Sequence, residues 1–262
     1  MSEADQYEPY SAFYDYRATG LEGDLQFYLE EAQHAGSPVL ELGCGTGRIL
    51  IPVAEAGIEV VGLDISTSML NISRAKLDLC NGEVQSRARL VQGDMRDFSL
   101  GQRFNLVMIP YRAFLHLLTP EDQRRTLECI REHLTDCGRL VMNIFDPRIE
   151  TIAAYTGSMS GVMTWISEFV HSETGNRHVV WGSRRYDLEA QIVHQLFMLQ
   201  ELDQVGRVVS TTHTPITLRY LFRYEMQYLL ELCGYKVEAL YGDFKRGPFK
   251  PGGEQVWVAR RQ

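Results

Sequence analysis

The stretch Val39-Leu-Glu-Leu-Gly-Cys-Gly-Thr-Gly-Arg48, followed by Glu59-Val-Val-Gly-Leu-Asp64, decides the fold. Its first residues are apolar on both faces, as a buried parallel strand requires. Gly43, Gly45 and Gly47 then let the backbone turn tightly and approach a ligand closely, which a Cβ would prevent. A helix follows, then a second strand that ends in Asp64. A carboxylate at that strand end can accept hydrogen bonds from both hydroxyls of a ribose. Strand, glycine turn, helix and acid-tipped strand together read as the front half of a nucleotide-type cofactor site in a parallel sheet.

The glycine spacing narrows the cofactor. A dinucleotide fingerprint is Gly-x-Gly-x-x-Gly, with the helix start facing a pyrophosphate. Here the pattern is Gly-x-Gly-x-Gly, and Arg48 stands where the third dinucleotide glycine would be. Glu41 precedes the turn, and an acid there suits a ligand with an amino group better than one with phosphates. The residues therefore ask for a ribose plus a positively charged group. The stretch Glu41 to Arg48 resembles motif I of the class I S-adenosylmethionine (SAM)-dependent methyltransferases, and Asp64 matches their ribose-binding acid.

A second block, Arg89-Leu-Val-Gln-Gly-Asp-Met-Arg-Asp-Phe98, resembles the third strand of that family and the turn after it. Alone, Asp94 reads as a turn residue after a strand. The resemblance instead implies that Asp94 meets the adenine amino group and that Met95 lies against the ring. It implies a cofactor set of Tyr14, Glu41, Gly43, Cys44, Gly45, Asp64, Ile65, Met69, Asp94, Met95 and Ile109, with S-adenosylhomocysteine (SAH) as product. The slot of Cys44 also reads as a small packing residue.

Strand and helix signals alternate from about residue 24 to 146. Helices are expected over 24–33, 47–56 and up to Leu77 behind a Ser66-Thr-Ser68 cap. Strands are expected at 38–42, 59–63, 88–92, 104–109 and 139–145. Thr119-Pro-Glu-Asp122 is a helix start, with a hydroxyl cap, Pro in first position and acids in the first turn; Gly138 is read as following that helix. Five such repeats predict a parallel sheet with helices on both faces; with two closing strands, the resemblance implies a seven-stranded, mostly parallel, Rossmann-like α/β fold. From about 148 the texture changes. Residues 178–187, 191–203 and 207–222 read as antiparallel strands, before a helix at 224–233 and closing strands at 235–241 and 254–260. The organisation expected is a single domain over 1–262. Its core is 24–147 and 223–262, with an N-terminal lid over 1–23 and an antiparallel β insertion over 148–222. The position of that insertion, with Phe13-Tyr-Asp-Tyr16, resembles small-molecule N-methyltransferases of the amino-sugar type.

Composition excludes more than it selects. Twenty-six basic against 34 acidic residues give a net charge of −8, which disfavours nucleic acid because phosphate neutralisation needs a basic surface. Five cysteines without a Cys-x-x-Cys point to reduced thiols in the cytoplasm. No basic stretch followed by an apolar run opens the chain, and no apolar run approaches a bilayer's span, so neither signal peptide nor membrane partner is expected. No metal site is read from the sequence.

In the resemblance, chemistry sits at the carboxyl ends of the strands. A sulfonium is already an excellent leaving group, so positioning supplies much of the barrier reduction, and a base is needed only for a protonated nucleophile. His116, in the loop after the fourth strand, is the candidate base or substrate-orienting group; its alternative is a packed histidine bonded to backbone. Tyr111 and Arg112 either line the pocket or cover the sheet edge. Tyr7, Tyr10, Tyr14 and Tyr16 crowd the amino terminus, with Tyr14 the expected lid contact. Trp181, Arg184 and Tyr220 on the insertion are candidate acceptor contacts, although alternation lets only half of such residues face one side; others serve packing or a homodimer. The expected function is methyl transfer from SAM to nitrogen or oxygen of a small molecule. The competing readings are a SAM-binding protein without activity and a nicotinamide-dependent reductase.

Overall fold

The computed structural model describes residues 8–17, 19–172 and 174–262, with 8–10 as backbone only. Contacts divide the chain into two compact units, 1–19 with 148–220, and 20–147 with 221–262.

The second unit is the α/β one. After a short 3-10 turn at Glu8–Phe13 and helix α1 (Tyr14–Arg17), which belong to the first unit, it opens with α2 (Asp24–Ala35) and β1 (Val39–Leu42). Helix α3 (Leu50–Glu55), β2 (Val60–Asp64) and α4 (Thr67–Asp78) follow. Then come α5 (Gly82–Arg87), β3 (Ala88–Gln92), β4 (Phe104–Ile109), α6 (Pro120–His133) and β5 (Leu134–Phe145). The first unit supplies α7 (Ile149–Thr156), β6 (Thr164–Val170), β7 (Arg177–Asp187), β8 (Ile192–Leu202) and β9 (Val208–Arg219). The α/β unit ends with α8 (Arg223–Leu232), β10 (Tyr235–Tyr241) and β11 (Glu254–Arg261).

Its sheet runs β10-β11-β5-β4-β1-β2-β3, parallel except for β11, which is antiparallel to both neighbours. Strand order reverses between β1 and β4, so the carboxyl ends of those two strands flank the crevice where such sheets take ligands. Every residue of β1 is buried, which is why the strand reads as an unbroken apolar run around a single acid. The caps are where the sequence puts them. Ser66 Oγ accepts from the Met69 N–H at 3.3 Å, and Thr119 Oγ1 from the Asp122 N–H at 3.0 Å.

Three features differ from the sequence reading. The helix after the glycine turn starts at Leu50, because residues 43–49 are spent on the turn itself. Gly138 lies within β5, which begins at Leu134 and carries an irregularity opposite Phe104/Leu106. Helices α5 and α7 and strand β6 were not expected; α5 and α7 span only 6 and 8 residues, too short for helical periodicity to register.

The antiparallel unit is a four-stranded sheet ordered β6-β7-β8-β9. In β7, His178, Val180 and Gly182 are buried while the residues between them are half-exposed, the expected period of two. The amino-terminal segment is docked on this sheet. Tyr16 stacks on Phe169 at 4.7 Å and shares a 2.6 Å hydrogen bond with Ser172 Oγ, and the Arg17 guanidinium lies 4.1 Å over the Phe197 ring.

The two points where the chain leaves and re-enters the α/β unit are tied to one residue. Fully buried Gln255 donates from Nε2 to Asp146 Oδ1 at 2.7 Å and to the Leu221 carbonyl at 3.1 Å. Its Oε1 accepts from the Trp257 indole. Among the described residues, no helix is long and apolar enough to cross a membrane.

Candidate active site

The glycine turn is fixed by the acid that ends β2. The Gly45 N–H donates to Asp64 Oδ2 at 2.7 Å and the Ser66 N–H to Asp64 Oδ1 at 2.8 Å. A carboxylate offers about four acceptor sites, so Asp64 keeps acceptor capacity beyond these backbone bonds. Burial raises the Asp64 carboxyl above its ordinary value, against the pull of the Ser66, Gly45 and Ile65 N–H groups. Gly43 and Gly45 both have left-handed backbones, at φ 70° and 53°. A Cβ on Gly43 would stand 2.8 Å from that of Ala113, whereas one on Gly45 would meet nothing within 4 Å. The turn is thus closed on the side of the post-β4 loop and open above Gly45.

Glu41 is the unusual residue of β1. It is buried, and its Oε2 has no hydrogen-bond partner. Burial pushes its carboxyl up to about 8; Arg48 and the Leu50 N–H act downward, and Asp64 upward. A buried polar atom left unsatisfied is costly, so this oxygen marks a place for a donor, and a cationic donor would ionise the acid. A glycine-lined opening, a ribose acceptor and an orphaned buried acid together fit a nucleoside that carries an ammonium group.

Arg48, within this turn, ties it to α2. Its guanidinium grips buried Asp24 with bonds of 2.9 and 2.6 Å and lies 5.2 Å from the Tyr111 ring centroid. Cys44 is buried, with its Sγ only 2.8 Å from where a Cβ on Gly62 would be, and burial raises its thiol. Its side chain is therefore packing, and only its backbone borders the opening.

Ile65 is half-buried after β2, Met69 is buried on α4, and Ile109 ends β4 fully buried. The Met95 methyl reaches to 3.8 Å of the Gly43 Cβ position. Asp94 is engaged by Arg96, whose Nε and Nη2 reach its carboxylate at 2.6–3.0 Å. Desolvation acts upward on Asp94, but the hydrogen bonds and charge of Arg96 outweigh it and hold the carboxyl below its ordinary range.

The post-β4 loop is strained where it leaves the sheet. Tyr111 and Arg112 are consecutive non-glycine residues at φ 52° and 68°, each costing on the order of 1–3 kcal/mol and so requiring a surrounding that dictates them. That surrounding centres on Asn143, fully buried in β5. Asn143 Oδ1 accepts from the Tyr111 N–H at 2.9 Å and from the Tyr28 hydroxyl at 2.8 Å, and Nδ2 donates to Glu254 Oε2 at 2.9 Å. Glu254 in turn binds Arg112 through both Nε and Nη2. Arg112, expected at the pocket or the sheet edge, is thus in an ion pair at the start of β11. His116 closes the single 3-10 turn Ala113–His116. Burial pulls its imidazole down to about 4, so it is neutral at pH 7 and can accept a proton or a hydrogen bond.

Tyr14, Trp181, Arg184 and Tyr220 belong to the antiparallel unit. Tyr14 is half-buried in α1; Tyr7 and the side chain of Tyr10 lie outside the described residues. Trp181 donates its indole N–H to Gln200 at 2.9 Å, and Arg184 lies over Tyr155 at 6.0 Å. Three residues apart on β7, these two point to opposite faces of the sheet. Tyr220 is buried edge-on to Tyr186. Sequence reading missed Asn143, Glu254, Tyr28 and Asp24. An amide inside the apolar run Leu140-Val-Met-Asn-Ile144 was the available signal, because a buried polar residue needs partners.

Comparison with known proteins identifies the family. Residues 39–138 match the family model described as "Methyltransferase domain". The cypemycin N-terminal methyltransferase of a Streptomyces species is 31% identical over 223 residues, covering 85% of this chain and 82% of that protein. The dTDP-3-amino-3,4,6-trideoxy-alpha-D-glucopyranose N,N-dimethyltransferase of Streptomyces venezuelae is 31% identical over 147 residues, 54% of this chain and 58% of its own length. The CcbJ methyltransferase of Streptomyces caelestis superposes with a TM-score of 0.80 at 24% identity, over 98% of this chain and 97% of that one, a likeness of fold. The chain belongs to the class I SAM-dependent methyltransferases.

Proposed function

We propose that the protein transfers a methyl group from SAM to nitrogen or oxygen of a small-molecule acceptor. The observation that carries the reading is the orphaned, buried Glu41 oxygen across the glycine turn from Asp64. In this reading Asp64 holds the ribose hydroxyls, and Glu41 takes the ammonium of the methionine half. Gly43, Gly45, Ile65, Met69, Met95 and Ile109 border the nucleoside, and Asp94 reaches the adenine amino group while keeping Arg96. When bound, SAM supplies a methyl carbon on a sulfonium. Neutral His116 orients the acceptor or takes its proton, and Tyr14 closes over the site. Tyr111, Tyr220 and one of Trp181 and Arg184 are the acceptor-side candidates, while Arg112 is engaged by Glu254. The Streptomyces venezuelae relative, named as a dTDP-amino-sugar N,N-dimethyltransferase, supports an amine as acceptor, an amino sugar foremost. The protein is cytoplasmic in this reading, as monomer or homodimer, without nucleic-acid or membrane partner.

Proton counting tests the Glu41 assignment. Its carboxyl stays protonated in the folded protein to about 8, against 4.5 for an ordinary glutamate. Folded protein therefore binds more protons than unfolded chain across that window, and the contribution of Glu41 to the stability of the ligand-free protein falls as pH rises through it. An ammonium beside Glu41 reverses the preference. Isothermal titration with SAM at pH 7, in buffers of different ionisation enthalpy, should show release of up to about one proton, fading above pH 9 and absent in E41Q. Tight binding of NADH with none of SAM or SAH would overturn the assignment.

A further inference from the structure

We propose that Asn143 is a positioning residue of the methyltransferase site, holding the Tyr111–Arg112 turn so that the post-β4 loop stays seated against the glycine turn. The inference rests on the methyltransferase reading and extends it to a residue that touches neither cofactor nor acceptor.

Two successive non-glycine residues in the left-handed region do not hold that shape by themselves. Asn143 supplies what holds them. Its Oδ1 takes the Tyr111 N–H, and its Nδ2 takes Glu254, which clamps the Arg112 side chain. One amide therefore grips the backbone of the first strained residue and, through Glu254, the side chain of the second. The next residue along, Ala113, stands against Gly43 so closely that a Cβ there would come within 2.8 Å. Gly43 belongs to the turn that lies between Glu41 and Asp64. Releasing Tyr111–Arg112 would thus move Ala113, and with it the wall of the cofactor opening and the turn that ends in His116.

The chemistry of the amide is what makes the assignment testable. Only a group that accepts on one side and donates on the other fits between the Tyr111 N–H and the Glu254 carboxylate. N143D keeps the acceptor and the volume but sets a second carboxylate against Glu254. The groups that face this point are Tyr28 from α2, Glu254 from β11 and Arg112 from the loop. The Tyr28 hydroxyl, whose ionisation burial drives well upward, also feels the charges of Asp24, Glu41 and Arg48. Two carboxylates at hydrogen-bond distance cannot both ionise without repulsion, so they share a proton at low pH and push apart at high pH. The pair N143D/E254Q moves the negative charge from one side of the contact to the other and restores a donor facing an acceptor.

The experiment is isothermal titration of SAM and SAH into wild type, N143D, E254Q and N143D/E254Q at pH 6 and pH 8, with thermal melts in parallel. Wild type at both pH values gives the baseline that includes the titration of Glu41. N143D should bind SAM about 10-fold more weakly than wild type at pH 8 and within about threefold at pH 6. The double variant should bind better than N143D at pH 8 and match E254Q alone at both pH values. A folded N143D that binds as wild type does at pH 8, or a loss that neither low pH nor the charge swap repairs, overturns the assignment. Should N143D not fold, E254Q carries the test. It removes the carboxylate from Arg112 and should weaken SAM binding severalfold, and wild-type affinity would overturn the assignment. Wild-type protein that binds neither SAM nor SAH would instead overturn the functional reading on which the inference stands.

Discussion

The two sheets of this molecule carry information in different ways. In the seven-stranded sheet the proposed cofactor residues cluster at the carboxyl ends of the strands and in the turns after them, where backbone geometry distinguishes them. Gly43 and Gly45 hold left-handed conformations, and Asp64 is pinned by two backbone N–H groups. In the four-stranded sheet the candidates lie along the strands, where the backbone is uniform and only the face distinguishes one from the next. Trp181 and Arg184 both looked suited to a ligand, yet they project to opposite sides. In the proposed function, cofactor recognition is therefore tied to a turn that tolerates few sequences, and acceptor recognition to side chains that can vary without disturbing the fold.

Substitutions in the two units should separate these roles. The largest effect is expected at the turn. D64A should weaken SAM binding on the order of 1,000-fold, from two charge-assisted hydrogen bonds at about 2 kcal/mol each, as read by titration calorimetry. A loss under tenfold would mean that the strand-end acid is not the ribose acceptor. Next comes the post-β4 loop. H116Q should lower turnover about 100-fold at unchanged SAM affinity if the imidazole handles the acceptor proton. With His116 titrating near 4, wild-type turnover should show no histidine step between pH 6 and 8; a full step there would place the imidazole in a different environment. The smallest effect on the cofactor is expected in the antiparallel unit. W181A and R184A should leave SAM affinity within about twofold, and the one that faces acceptor should raise its KM about tenfold. Removing residues 1–16 should lower turnover if Tyr14 closes the site. Equal loss of SAM affinity in both units would erase the distinction between them.

Sequence legibility follows the same division. The glycine turn, the Ser66 and Thr119 caps and the places of the seven strands along the chain could be read because each is a local constraint, settled by neighbours within a few residues. Strand β6 escaped because Thr164–Val170 mixes Ser and Glu into a short run with little apolar alternation. The Asn143 network escaped for another reason. Its partners Tyr28 and Glu254 lie 115 and 111 residues away in the chain, and only the folded sheet brings them to one amide. Arg112 shows the cost of reading without that context. Its charge at the carboxyl end of β4 resembles a ligand contact, and its distant partner Glu254 makes it part of the loop's support.

Gln255 has a bearing on how such an enzyme could change its substrate. By holding Asp146 and Leu221 on one side-chain amide, it brings together the two ends of everything that lies between them. To the α/β unit the whole antiparallel sheet then amounts to a single long loop with anchored ends, and the closure entropy of a loop grows only slowly with its length. That sheet can be lengthened, recut or exchanged for another at little thermodynamic expense to the α/β unit. If the proposed roles hold, descent could redraw the acceptor's side of such a protein while the donor's side stayed as it was.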